Sequence, residues 1–295
     1  MIFMTTNFFD FHSTKLVFKI HPNDTNSIIP AFVGHMLRGV VLNLIKANDP
    51  DLSAVLHRSN EIRPYAVSNL YSLTHRRPER NKGKIILSPK DELAFNFKTV
   101  NLMVGKALLS SLLDLKNEQI QIADKTFNID SITVSTKKYT DEVLLNSPVS
   151  DRIEIDFLTP TQFISIVTKN VFLFPDPRYF FGNLIQTAKS LNLLKVSIDY
   201  DSFMEFVSQK LYIRLYDLKT RIVKMGKLPL MVGFTGWVRY INTDPENDYA
   251  NLLPFLLTIG EILNVGKKRT AGMGVIKTKF PIKSDHSAIS EKYNE

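Results

Sequence analysis

One order of strand-like and helix-like segments occurs twice along this chain, and that repetition constrains its fold more than any single motif. In the first half, KLVFKI (15–20) has the β-propensity and partial alternation of a strand. Pro30 then opens a helical stretch in which Phe32, Val33, Met36, Leu37, Val40, Val41, Leu44 and Ile45 recur at helical spacing. A segment rich in Pro and Arg follows, then two strands, 84–88 and 93–100, joined by a Pro-Lys-Asp turn. Asn101 is placed to cap a second helix, and QIQIA and FNIDSITVST read as further strands.

A Ser-Pro-Val-Ser break at 147–150 separates the halves, and RIEIDFLT (152–159) starts the second with clean alternation. Pro175 and Pro177 lead into a helix ending near Leu191. The strands LYIRLYDLKTRIV and LMVGFTGWVRYI come next, then a helix from Tyr249 to about Leu263 and a last strand, MGVIKTKF. Each half therefore reads β-α-β-β-α-β. The expectation is an α+β fold of two tandem ferredoxin-like (RRM-like) units, residues 1–148 and 149–282, with a polar tail over 283–295.

Composition narrows the function. The chain has 295 residues, 44% of them apolar, which suffices for two cores. No apolar run approaches the ~18 residues of a membrane span, and the first residues lack a charged n-region and a small-residue cleavage site, so the expected compartment is the cytoplasm. With no cysteine, disulfides, Cys-ligated zinc and thiol nucleophiles are excluded. The formal charge of +8 favours a polyanionic partner. The excess concentrates in two places. His57–Lys84 holds seven Lys or Arg against two acids, and Leu263–Lys283 holds six against none. A solvated face mixes the signs, so both stretches are expected to be anion-binding loops, with Arg76, Arg77, Arg80 and Lys82 grasping a backbone in the first.

The second stretch contains NVGKKRTAGMGVIK (264–277). Its glycines, Gly266, Gly272 and Gly274, permit close backbone approach, and exposed N–H groups beside Lys267, Lys268 and Arg269 make a phosphate site the natural reading. It is not a P-loop, because Lys268 occupies the Ser/Thr position and a helix precedes it. Nor is it a dinucleotide fingerprint, because Gly272-Met-Gly274 opens a strand. A helix C-cap followed by a bulged strand start is the plain alternative.

The segment Gly-Lys-Lys-Arg-Thr-Ala-Gly-Met-Gly resembles the C-terminal glycine-rich motif of the RAMP-superfamily endoribonucleases that process CRISPR precursor RNA. The likeness extends, in order, through VLHRSNEIRPYAVSNL (55–70), LTPTQF (158–163), FPDPRYFF (174–181) and GFTGWVRY (233–240). It implies a metal-independent endoribonuclease with no cofactor, cutting once within each repeat. The ribose 2′-OH attacks the adjacent phosphate, leaving a 2′,3′-cyclic phosphate and a 5′-hydroxyl. A non-catalytic repeat-RNA-binding subunit of an effector complex is the alternative. The partner implied is CRISPR repeat RNA; effector-complex proteins and a second copy of the chain are also admitted.

Such chemistry needs a base, an acid and a cation for the developing phosphorane charge. The resemblance puts His57 in the catalytic position, with Arg63 steadying the scissile phosphate. His35 is the rival, one turn before Arg38, which is placed to meet RNA phosphate. The family often carries a tyrosine on this helix, and residues 30–46 have none. His75 reads as a loop or RNA-contact residue; His12, His21 and His286 have no supporting context. Tyr65, Tyr71 and Trp237 are expected in the core rather than stacked on bases.

Overall fold

The computed structural model describes residues 9–58, 61–74, 78–81, 83–114, 118–140, 151–165, 168, 170–226 and 229–279. In chain order the first unit contains β1 (Asp10–Pro22), β2 (Ser27–Pro30), α1 (Gly34–Asn48), α2 (Pro50–His57), β3 (Tyr65–Val67) and β4 (Tyr71–Ser72). It continues with β5 (Glu79–Asn81), β6 (Lys84–Leu87), β7 (Leu93–Thr99), α3 (Leu102–Leu113), β8 (Gln119–Ile122) and β9 (Lys125–Thr140). Its main sheet runs β3-β7-β1-β9-β8 with antiparallel neighbours, and β4 also pairs with β7. Counting β1, β3, β7 and β9 as the four strands of the split βαβ unit, the spatial order is 2-3-1-4, the ferredoxin-like arrangement.

The second unit contains β10 (Arg152–Thr161), β11 (Phe163–Ile164), β12 (Val171–Phe172), α4 (Pro177–Ser190), α5 (Tyr200–Lys210), β13 (Leu211–Val223) and β14 (Met231–Asn242). A 3-10 turn (Asp248–Leu252), α6 (Leu253–Leu263) and β15 (Ile276–Lys279) complete it. The sheet order β13-β14-β10-β15 is again 2-3-1-4. Each sheet buries one face beneath its helices, giving two separate cores: Leu16, Phe18, Leu37, Val41, Phe95 and Leu108 belong to one, Ile155, Phe180, Val238, Leu256 and Ile259 to the other. No helix among the described residues is long and apolar enough to cross a membrane.

Several elements differ from the sequence expectation. The second strand of the first unit is Tyr65–Val67, inside the segment read as irregular. Residues 84–87 leave the main sheet and pair instead with β2 and β5. Pro30 ends a strand rather than opening a helix. The helix starts at Gly34 because Asn69 clamps the intervening turn, its Oδ1 accepting from Val33 N–H at 2.8 Å and its Nδ2 donating to Ala31 O at 3.1 Å. Helix α5, capped by Asp199, was not expected. The Asn101 cap forms as read, accepting from Met103 N–H and Val104 N–H. The expected unit boundary at 148 and the tail over 283–295 lie outside the described residues.

The two units meet around β3, the edge strand of the first sheet. On one side β3 pairs with β7; among the described residues its outer carbonyls have no strand to accept from. The glycine-rich loop of the second unit supplies the donors. Asn264 Nδ2 donates to Val67 O at 3.1 Å, Arg269 Nη1 to Tyr65 O at 3.3 Å, and Arg269 Nη2 to Arg63 O. A third Arg269 bond, to Leu263 O at 3.0 Å, ties the loop to the end of α6. Residues 63, 65 and 67 point the same way in a period-2 strand, so two side chains finish an open edge that would otherwise invite foreign strands. Arg269 is thus buried, and burial pulls its pKa down to about 10, leaving it a cation at neutral pH. The expectation that it faces RNA is corrected: three carbonyls of this seam and the loop's own helix end hold it.

The glycines serve the same seam. Gly274 has φ +69°, and a Cβ there would sit 1.8 Å from Val265 O. Gly34 at the start of α1 lies so close to the loop that a Cβ would meet Ala271 O at 2.3 Å. Across the sheet, Lys98 donates to Glu261 O at 2.6 Å; burial, then Lys15, lowers its pKa to about 8, while Glu261 acts to raise it.

Three outcomes are expected. Gly274→Ala should lose about 2–4 kcal/mol in urea unfolding, since strain and collision act together, whereas Gly39→Ala, in open space on α1, should gain about 0.8–1 kcal/mol. Arg269→Met should cost about 3 kcal/mol and speed amide exchange along the seam, while Lys267→Ala should stay within about 0.5 kcal/mol. The folded Lys98 gives up its proton before the unfolded one, so stability should rise between about pH 8 and 10.5, and Lys98→Met should flatten that rise.

Candidate nucleic-acid interface

With Arg269 drawn inward, the loop turns its other two cations out. Lys268 takes a left-handed backbone conformation, φ +59°, and both Lys267 and Lys268 are exposed. Many loop amides are already used: Gly266 N–H donates to Asn183 Oδ1, Lys267 N–H to Gln162 O, Ala271 N–H to Lys268 O and Gly274 N–H to Pro160 O. The expected cradle of free backbone amides is therefore closed at these positions, and what the loop offers an anion is its lysine side chains.

Helix α1 faces this loop. Arg38 reaches Thr270 Oγ1 at 3.5 Å. Lys268 is held below the usual lysine range, first by partial burial and then by Arg38, Lys267 and Arg63. None of Arg38, Arg63, Lys267 or Lys268 has an ion-pair partner among the described residues. Cations that repel one another without a carboxylate between them are relieved by an anion, and a chain of phosphates supplies several.

His35 stands at the rim of this cluster, one turn before Arg38. Its Nε2 faces the turn after β13, where a Cβ on Gly226 would lie 3.4 Å away. Its Nδ1 is buried with no hydrogen-bond partner among the described residues. Burial first, and then Arg38, depress its pKa, so the imidazole is neutral at pH 7. A buried ring nitrogen without a partner is uncommon enough to need a reason.

His57 ends α2 and is exposed. Asp49 caps α2 directly after α1, and Ser53 Oγ donates to Leu42 O at 3.2 Å, so α2 folds back along α1. One turn further along α2 is His57; one turn back along α1 is Arg38. Both histidines therefore sit at one end of the helix pair. Arg63 does not point to a free phosphate site. Its guanidinium caps the end of α2, donating from Nε to Leu56 O at 2.9 Å and from Nη2 to Arg58 O at 2.9 Å, with a longer bond to His57 O. A cation on helix C-terminal carbonyls is favourable, and here it fixes the His57 segment.

Other expected residues scatter. Arg76, Arg77, Lys82, His75 and His286 lie outside the described residues, as does the side chain of Arg80. Tyr65 is in the core, stacked on Phe97. Tyr71 is instead partly exposed with its hydroxyl on Asn96, and Trp237 is half-buried beneath Arg239. His21 is bonded to Asp130 and Asn128 on the first sheet. Sequence reading missed Gly226, Asn264 and Asn183; Asn264 precedes the loop with φ +59°, but nothing in its spacing marks a strand 197 residues away as its partner.

Comparison with known proteins agrees with this architecture. Residues 155–276 match the family described as CRISPR-associated endoribonuclease Cas6, and residues 28–133 match CRISPR-associated protein Cas6, N-terminal. No curated protein matches the sequence. Among solved structures, a Thermus thermophilus Cas6 product complex is 18% identical with a TM-score of 0.72, covering 90% of this chain and 99% of that one. A Cas6-related protein from Pyrococcus furiosus gives 16% and 0.62 over 92% and 100%. A RAMP protein binding different RNA substrates gives 14% and 0.61 over 90% and 100%. With one Cas6 family matching each unit and the tandem ferredoxin-like fold in common, this chain belongs to the Cas6 family of CRISPR-associated proteins.

Proposed function

We propose that the chain is a metal-independent endoribonuclease that cuts CRISPR precursor RNA within each repeat. The observation that carries this reading is His35: a neutral, partly buried imidazole with an unpartnered nitrogen, at the edge of a cation cluster that lacks counterions. RNA as the polyanion is supported by the family and by RNA-bound structures of the same fold.

In this reading His35 takes the 2′-OH proton as the oxygen attacks the adjacent phosphorus. Arg38 and Lys268 hold the non-bridging oxygens as charge develops on the phosphorane. The P–O5′ bond breaks, leaving a 2′,3′-cyclic phosphate, and the departing 5′-oxygen takes a proton from His57 across the groove. Arg63 is a positioning residue for that second histidine. The neutral state of His35 suits a base at pH 7, since an imidazolium cannot accept a proton.

The test is cleavage of labelled repeat RNA from the same genome in excess EDTA. His35→Ala should lower the single-turnover rate by about 10²–10⁴-fold with affinity nearly unchanged. His57→Ala should fall by about 10²-fold or more if it supplies the leaving-group proton. Wild type that binds tightly and never cuts would instead favour a repeat-binding subunit. For a base with a lowered pKa, kcat/KM should hold as pH drops past about 6.5, the ordinary histidine value, and fail only below it. Arg38→Gln should move that acid limb upward.

Binding should separate the three loop cations. Lys267→Ala/Lys268→Ala should weaken RNA binding and reduce the slope of log K against log salt by roughly 1–1.5. Arg269→Met should lower stability and leave that slope close to wild type.

A further inference from the structure

Two pockets open on either side of Lys267. One, of about 370 Å3, is lined by Tyr179 and Asn183 on α4 together with Ser165 and Gly266. The other, of about 490 Å3, is lined by Val171, Leu173, Leu230 and Met231, with Lys267 and Lys268 at its rim. The wall between them is the stretch Gln162–Phe163, anchored to the loop because Lys267 N–H donates to Gln162 O at 2.9 Å.

The pockets differ in chemistry because β12 alternates. Phe172 turns to one side and packs against Tyr179, with ring centroids 4.3 Å apart. Val171 and Leu173 turn to the other, 47% and 37% exposed, and Leu230 opposite them is 64% exposed. Such aliphatic exposure at one place marks a surface that something covers.

In the polar pocket, Asn183 Oδ1 accepts from Gly266 N–H at 2.9 Å. Only the amide oxygen can do this, so its NH2 group is left as a donor. Arg178 on the same rim is held in a two-pronged pair with Asp176, at 3.0 Å for each bond. Lys267 is the cation common to both pockets, and it has no ion pair among the described residues.

Resting on the RNA-binding reading above, we infer that Lys267 is a phosphate pivot from which two successive unpaired nucleotides splay. One base enters the polar pocket, lies against Tyr179 and accepts a hydrogen bond from Asn183 Nδ2. Its neighbour enters the apolar pocket among Leu173, Leu230 and Met231. Both bases are drawn out of any stack, so the segment read here is single-stranded. The polar pocket demands a base with an acceptor facing Asn183. The apolar one takes any base by surface contact alone.

The experiment is an abasic scan. The repeat RNA is made with one base removed at each position in turn, and binding and cleavage are measured on the same RNAs. Wild type should show two adjacent unpaired positions where base loss weakens binding by roughly 5- to 150-fold, the range of a stacking contact. Leu173→Ser/Leu230→Ser, both at exposed positions, should erase the penalty at one of the two and keep the other. Tyr179→Leu should do the reverse. A flat scan, two sensitive positions that are not neighbours, or penalties unmoved by the variants would overturn the inference. A flat scan with normal cutting removes this pivot and leaves the nuclease reading intact. Two adjacent sensitive positions without cutting uphold the pivot and remove the nuclease.

Discussion

Everything in this molecule that touches the groove depends on a short edge strand being finished by side chains from far along the chain. β3 is three residues long and hydrogen-bonded to one neighbour. Asn264 and Arg269 close its other side. Because Arg269 also holds Leu263 O, the loop is tied at once to the first sheet and to the end of α6. That double tie brings Ala271 against Gly34, so the start of α1 and the loop form one surface. A guanidinium suits the task, since its rigid fork serves several carbonyls at fixed angles and stays charged when buried.

This arrangement explains the electrostatics of the groove. Five cations gather near the seam, and two of them, Arg269 and Arg63, are held by backbone carbonyls. Arg38, Lys267 and Lys268 have no ion pair among the described residues, and partial burial, then Arg38, Lys267 and Arg63, lower the pKa of Lys268. The same field depresses His35, which burial has already made reluctant to charge. The field that attracts a polyanion thus adds to the burial that keeps the imidazole neutral. When phosphate occupies the cluster, the repulsion on His35 weakens, so bound RNA and protonation of this histidine favour each other.

Much of the fold was legible because alternation and helical spacing survive wherever an element packs against one core. β1, β7, β10, β13 and β14 fall where their patterns put them, and the repeated element order gave the correct tandem class. Failures occur where tertiary contacts outweigh local pattern. Tyr65–Val67 is too short to show a period and is a strand because β7 lies beside it. Pro30 looks like a helix opener until Asn69, 38 residues past Ala31, is found holding the turn. Lys267, Lys268 and Arg269 are indistinguishable as a run of charge, yet burial sends one inward and two outward. Sequence marked the loop and both histidines as candidates, but which of the loop's cations turns inward depends on where β3 ends up.

The closing of β3 also has a bearing on synthesis. Val67 and Asn264 are 197 residues apart, so a ribosome moving at ~5–20 residues per second finishes the strand roughly 10–40 s before its cover is made. During that interval the first unit carries an open sheet edge, and Lys98 lacks the α6 carbonyl it will later bind. The nascent chain therefore has a defined window in which a chaperone protects it or another strand captures it. Slowing translation between the two units would lengthen that window, and accelerating it would shorten it, with no change to the finished protein.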